Sequence, residues 1–397
     1  MPSSESTINN FFKTFKTLHS IKDELDTEYY DGLAEILNKA MQDVSDHTGK
    51  FLHKELDEKE LDDETLKKMI TAVPSSLSYE DEDGRLPIHS AVWNSKSEQY
   101  VTLLAREGLK YNVGGDDKRG GLLSQDTDGL NTLHFLANRS YSDEMGDESR
   151  LRVLIELREL KLLRKQDIND HNLLFHACHP SSQLRFNYFL NWDPDELKMH
   201  HMNGNHLIHD ICHYRDIDSF KVFLKAAIER YPNELGLLFQ KDDDGMTGCE
   251  CAVMGFGKDE TINAIGELIP FDNPQLPILH HVIVHTPQFM NDFVNKYSSA
   301  AYLRDHQGRT LLQATLASGN RRFRNHAMFF VGMSDEDVRE IDPGSDLYPF
   351  MVAASGQTSD LSAVYNLLRR NPALARCNRP RRVRKRKRTR MCSKSSR

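Results

Sequence analysis

The stretch DEDGRLPIHSA, residues 81–91, decides how the rest of the chain is read. Asp83 and Gly84 form a turn pair, because glycine reaches backbone angles that cost other residues energy. Pro87 follows where a first helical turn tolerates it, its missing N–H having no intrahelical partner there. The segment therefore hands a turn to a short helix that carries His89.

The same frame returns along the chain. Gly84 precedes His89 by five residues, and the spacing recurs in Gly129 with His134, His171 with His176, and Gly204 with His209. Gly245 with Glu250 and Gly308 with Gln313 keep the frame with the histidine replaced. Looser copies reach the slot at His280 and Met351, and a weak one lies upstream at His53. From His89 the slots are 45, 42, 33, 41, 30, 33 and 38 residues apart, a period within the range of repeat architectures.

Prolines supply a second register. Pro74 and Pro194 lie ten residues before Gly84 and Gly204, Pro232 lies thirteen before Gly245, and Pro372 follows the last amphipathic stretch. Each comes after an apolar-periodic segment such as Phe220, Phe223, Leu224, Ala227 and Ile228, and proline does not continue a helix. The unit is expected to be turn, short helix, longer helix, proline stop.

On these residues the chain resembles a divergent ankyrin-repeat protein, a family whose motif is a glycine turn followed by Thr-Pro-Leu-His-x-Ala. LPIHSA is the closest copy; NTLHFL, LLFHAC, HLIHDI and TLLQAT keep parts of it. The chain departs from the family in its often longer period and in the Thr slot, kept at Thr310 but mostly replaced, while Asn131 offers another cap type. The resemblance implies an all-α, ankyrin-like helical-repeat solenoid of about eight repeats, possibly nine, over residues 49–375. It makes Gly84, His89, Gly129, His134, His176, Gly204, His209, Gly245 and Gly308 structural residues of the repeat turns. It also implies a non-enzymatic scaffold or adaptor that binds another protein through loops and first helices.

Residues 1–48 read as a helical N-terminal cap, with Phe11, Phe15, Leu18 and Ile21 and then Leu33, Ile36, Leu37, Met41 and Val44 at helical spacing. No apolar run approaches 18 residues and the N-terminus lacks a secretory pattern, so a soluble intracellular protein is expected, in nucleus or cytoplasm. Six cysteines show no CxxC pair and read as small apolar fillers. Gly-rich and polar inserts at 111–124 and 138–149 are expected to be exposed loops.

Signals for chemistry are weak. DEDG and DDDG lack the ligand order of a calcium loop, GGDDKRGG lacks that of a phosphate loop, and no GxSxG elbow occurs. The strongest enzyme-like cluster is His200, His201, His206, His209, Cys212 and His213. In it His209 and His213 are four apart on one helix, with His206 as a third zinc ligand. HDICH, however, carries Asp210 where a metal hydrolase needs Glu, and the repeat already occupies His209. No catalytic residue, metal or cofactor is expected.

Charge divides unevenly. Residues 376–397 hold 12 of the 51 Lys and Arg and no acid, which leaves 39 cations against 59 acids in the rest, a net of −20. Arg381, Arg382, Arg384, Lys385, Arg386, Lys387 and Arg388 put seven cations into eight residues, a run too repulsive to fold alone. A disordered tail is expected, engaging an import receptor or, alternatively, nucleic acid. No aromatic residue interleaves to stack on bases.

Overall fold

The computed structural model describes residues 27–58, 62–93, 98–138, 146–199, 204–270, 273, 276–318, 335–355 and 359–376. Within them the chain is mostly helical, with one isolated antiparallel bridge, Lys241 to Thr247, and no strand. No helix among these residues is long and apolar enough to cross a membrane. The basic run 381–388 and the aromatic stretch near residues 11–21 lie outside the described residues.

Two compact units form, Met1–Met202 with Asp218–Phe223, and Asn203–Ile217 with Leu224–Arg397. In the first, helix α1 (Thr27–Glu58) runs across residue 48, where the sequence suggests a border between cap and array. Asp62 caps α2 (Asp63–Ala72) by accepting the Thr65 N–H, and Pro74 then opens a 3-10 turn. The unit continues through α3 (Pro87–Trp93), α4 (Val101–Lys110), α5 (Thr132–Ala137) and α6 (Gly146–Glu159) to α7 (Asp167–Asp170), α8 (Leu173–Ala177) and α9 (Gln183–Trp192).

The short helices α3, α5 and α8 touch one another in chain order, with the long α1 against α3, while α4, α6 and α9 pack as a second row. Leu104, Leu154, Leu157, Phe186 and Phe189 fill the interior between the rows. Burying each contributes about 1.5 to 3 kcal/mol relative to exposure.

The second unit contains α10 (Leu207–Tyr214), α11 (Ile217–Arg230), whose first part is counted with the other unit, α12 (Gly248–Phe256) and α13 (Lys258–Leu268). There follow α14 (Ile278–His285), α15 (Met290–Lys296), α16 (Leu311–Ala317), α17 (Asp335–Arg339), α18 (Pro349–Ala354) and α19 (Leu361–Arg370). Here α10 packs on α12, α14 on α16 and α16 on α18. Leu312, Leu316, Val338, Ala353, Leu367 and Leu374 close the C-terminal interior. Pro194, Pro232 and Pro372 each begin a 3-10 turn just after a longer helix, where their fixed φ suits the first position.

The insert at 111–124 is only partly the exposed loop expected: Asn112, Gly114, Asp116 and Asp117 are exposed, but the rest packs inward. Val113 and Leu122 are buried, and Gly120 approaches so near that an added Cβ would stand 2.3 Å from the Ala105 carbonyl oxygen. Arg119 then donates to both Asp167 oxygens, at 2.6 and 2.9 Å, and to the Leu162 carbonyl at 2.8 Å. Glycines that read as loop residues serve here to let backbone lie on backbone. The second insert differs as well, since helix α6 already begins at Gly146.

Candidate binding surface

One turn is built four times. Asp81, Asp126, Asp242 and Asp305 each accept the N–H of the glycine three residues on and donate their own N–H to the carbonyl one residue beyond it. Their side chains close the loop. Asp81 Oδ1 takes the Asp83 and Arg85 N–H groups at 2.9 and 2.8 Å, and Asp305 Oδ1 those of Gln307 and Arg309 at the same distances. Gly84, Gly129, Gly204, Gly245 and Gly308 all have positive φ, which any Cβ would strain. Successive turns also meet: Thr127 N–H donates to Asp83 O, and Asp243 N–H to Gly204 O.

The slot residue faces both ways from each turn. His89 Nδ1 accepts the Leu86 N–H at 2.8 Å, so the ring proton sits on Nε2 and donates to Ser124 O at 3.0 Å, 35 residues away. His209 reaches Met246 O at 3.1 Å and His280 reaches Arg309 O at 3.2 Å. At His53 Nε2 lies 3.2 Å from Tyr79 O.

Gln313 repeats the arrangement without a ring, its Oε1 accepting from Thr310 N–H at 2.9 Å and its Nε2 donating to Glu340 O at 3.1 Å. Glu250 accepts the Thr247 N–H at 2.8 Å but has no proton to donate, and instead takes the Gln288 amide. Slot chemistry is thus one acceptor for the helix's first N–H and one donor for the next turn, which histidine and glutamine both supply.

Burial pushes the pKa of His89, His209 and His280 down, opposed by the carbonyls that accept from them. His134, which accepts the Asn131 N–H at 2.8 Å, falls to about 4 through burial and then the neighbouring His171. His176 packs its ring 4.9 Å from that of His134. His280 Nδ1 is buried without a partner for a plain reason: the residue at its helix cap is Pro277, which has no N–H.

The zinc grouping of His206, His209 and His213 is not assembled. His209 is fully buried whereas His213 points to solvent, and His209 instead lies beside Asp242 and Cys251. His200 and His201 lie outside the described residues. A helix pair four apart, the geometry sought in HDICH, occurs instead at His281 and His285, whose rings stack at 6.1 Å and each stack on Phe239. With Asp305, His306, Arg309 and Ser318 they line a hollow of about 250 Å³. His281 is driven to about 4 by burial, His285 and His306, so near neutral pH its ring is an uncharged donor and acceptor.

Four of the short helices also present an apolar side chain to solvent shortly after the slot residue. Trp93, Met254 and Val284 lie four residues after slots 89, 250 and 280, and Tyr214 lies five after His209. Their exposures are 52, 70, 46 and 72%. Arg85 sits over the Trp93 ring at 4.8 Å, a cation–π contact that holds the indole in place. The sequence marks the slots but not these side chains, because four residues on from His134, His209 and Gln313 stand Asn138, His213 and Ala317, so no fixed offset finds the set. No protein-family model matches the chain, and no curated protein matches it significantly.

Proposed function

We propose that this chain is a non-enzymatic protein-binding adaptor, an ankyrin-like array of turn, short helix and longer helix. The recurrent turn and its two-way slot residue support the array. The observation that carries the function is the repeated exposure of Trp93, Tyr214, Met254 and Val284 near the C-terminal ends of four short helices. Aromatic and methionine side chains of this kind anchor protein interfaces, where burial of a few of them supplies most of the affinity. The cations from Arg381 to Arg388 support a nuclear address read by an import receptor.

Crosslinking of the full chain in cells, beside the triple variant W93A, Y214A and M254A, tests the adaptor reading. Protein partners captured by the wild type and lost from an equally stable variant are expected; an unchanged set refutes the surface. Fluorescent fusions of the full chain and of one ending at Ala375 test the address. Nuclear signal lost on truncation is expected, and unchanged nuclear signal refutes it. If truncation instead abolishes salt-sensitive nucleic-acid binding without moving the protein, the tail is a polyanion tether.

A further inference from the structure

The geometry points to a divalent transition-metal site, of the kind zinc occupies, formed by His209 of helix α10, Asp242 of the following turn and Cys251 of helix α12. All three belong to the second unit. A histidine ring nitrogen, a carboxylate oxygen and the cysteine sulfur lie within 4.8 Å of one another. Ligands about 2.0 to 2.3 Å from a tetrahedral zinc stand about 3.5 Å apart, so small side-chain rotations close the remaining gap. Nitrogen, thiolate sulfur and one oxygen form a borderline donor set, which favours zinc or cobalt over calcium or magnesium.

Each residue has a donor to spare. Asp242 Oδ1 takes the Met246 N–H at 2.8 Å, which orients the carboxylate and leaves its second oxygen for a cation. Cys178 and Cys212 direct their thiols at the backbone carbonyls of Ser219 and Gly248, whereas Cys251 has no such bond among the described residues. His209 is fully buried with Nε2 on Met246 O and Nδ1 without a hydrogen-bond partner. Binding through Nδ1 keeps the Met246 bond as the outer contact that orients a metal-bound histidine. Binding through Nε2 exchanges that bond for the metal and moves the ring proton to Nδ1.

Burial holds the free Cys251 thiol protonated, its pKa pushed up to about 12. On binding, the S–H bond breaks, the sulfur electron pair forms the metal–sulfur bond and the proton leaves to solvent, with no change of oxidation state. Asp242 is half-buried while its two partners are interior, so a cation enters past the carboxylate. Three protein ligands leave one position for water, as in open zinc sites. The metal would pin one short helix to the turn and short helix that follow it.

Titrating the reduced full chain with cobalt(II) alone, read by visible and near-ultraviolet absorption, tests the site. One equivalent giving tetrahedral cobalt bands with thiolate charge transfer is expected. Cys251→Ser should abolish the charge transfer, and Asp242→Asn, which keeps the oxygen that accepts the Met246 N–H, should weaken binding while the fold stays intact by circular dichroism. His213→Ala should change nothing. Absence of the bands in folded wild-type protein, or bands that survive intact in Cys251→Ser, overturns the proposal; bands lost equally in His213→Ala would move the site to the helix pair and overturn it as well.

Discussion

The imidazole of His89 joins its own helix start to the next turn, accepting from the Leu86 N–H on one nitrogen and donating to the Ser124 carbonyl on the other. Gln313 makes the same two bonds with an amide. A substitution series follows from that equivalence. His89→Gln should cost less than about 1 kcal/mol of stability, since both bonds survive. His89→Ala leaves a buried N–H and a buried carbonyl unpaired and should cost about 2 to 4 kcal/mol. Urea unfolding of the two variants checks the ranking; equal losses would mean that ring packing, not hydrogen bonding, selects the slot residue.

Acid should weaken the first unit through His134. Its folded pKa is about 4 against an ordinary 6.5, so between those values the unfolded chain binds more protons and stability falls as pH drops. Above pH 6.5 the ring is neutral in both states and contributes no slope. The ceiling is about 1.4 kcal/mol per pH unit, reduced because the ring is half-buried. His134→Gln should flatten the fall in urea midpoint between pH 6.5 and 4.5, and an unchanged slope would show that other groups carry it.

Buried arginines of the first unit do what no local pattern reveals. Arg185, fully buried, donates to the carbonyls of Leu136, Ala137 and Asn138 at the end of helix α5 and pairs with Asp147 at 2.8 Å. Arg150 pairs with Glu98 and donates to Val92, Phe135 and Asn138 carbonyls. Together they occupy carbonyls that a six-residue helix leaves without partners. Arg185→Ala should therefore cost about 3 to 5 kcal/mol, leaving the buried carbonyls unpaired and Asp147 with only the Leu184 and residue-185 N–H groups. Arg304, half-exposed and paired with Glu340 at 2.7 Å, is the control, and its alanine variant should cost under about 1 kcal/mol. Comparable losses at the two sites would remove the burial argument.

The turn glycines and slots were legible because a five-residue spacing that returns along the chain marks a recurring turn. The aspartate three residues before the glycine was equally visible, in DEDG, DTDG, DDDG and DHQG. Its side chain or backbone closes each turn. Arg119, Arg150 and Arg185 were not legible, because a charged residue is buried only by partners such as Glu98, 52 residues from Arg150. In HDICH, four-residue spacing sets His209 and His213 on neighbouring parts of one helix surface, yet His209 is buried and His213 exposed, a difference that only the packing around the helix decides.

Two glycines separate backbone strain from crowding. Gly129 has φ +78° with nothing within 4 Å of an added Cβ, so Gly129→Ala should cost about 1 kcal/mol from conformation alone. Gly129→Asn, a residue that tolerates this region, should cost less. At Gly108 a Cβ would stand 2.2 Å from the Gly120 carbonyl oxygen, a backbone atom that moves only if the packed insert moves. Gly108→Ala should cost more than either, and thermal melts of the three variants set the order. If Gly108→Ala is the mildest, the insert is not packed against α4.

The exposed side chains of the short helices make the last prediction, because stability and binding should separate there. Tyr214 and Met254 are 72 and 70% exposed, so alanine removes little buried surface, and each change should shift unfolding by no more than about 0.5 kcal/mol. An interface anchor behaves oppositely, since truncating one buried aromatic in a complex costs about 2 kcal/mol or more, near a thirtyfold loss of affinity. Val284, less exposed and smaller, should give a lesser loss. Denaturation of Tyr214→Ala and Met254→Ala, alongside affinity for a partner crosslinked to the wild type, checks both halves. Unchanged affinity with unchanged stability would make these side chains ordinary surface, while lost stability would show that they serve the fold.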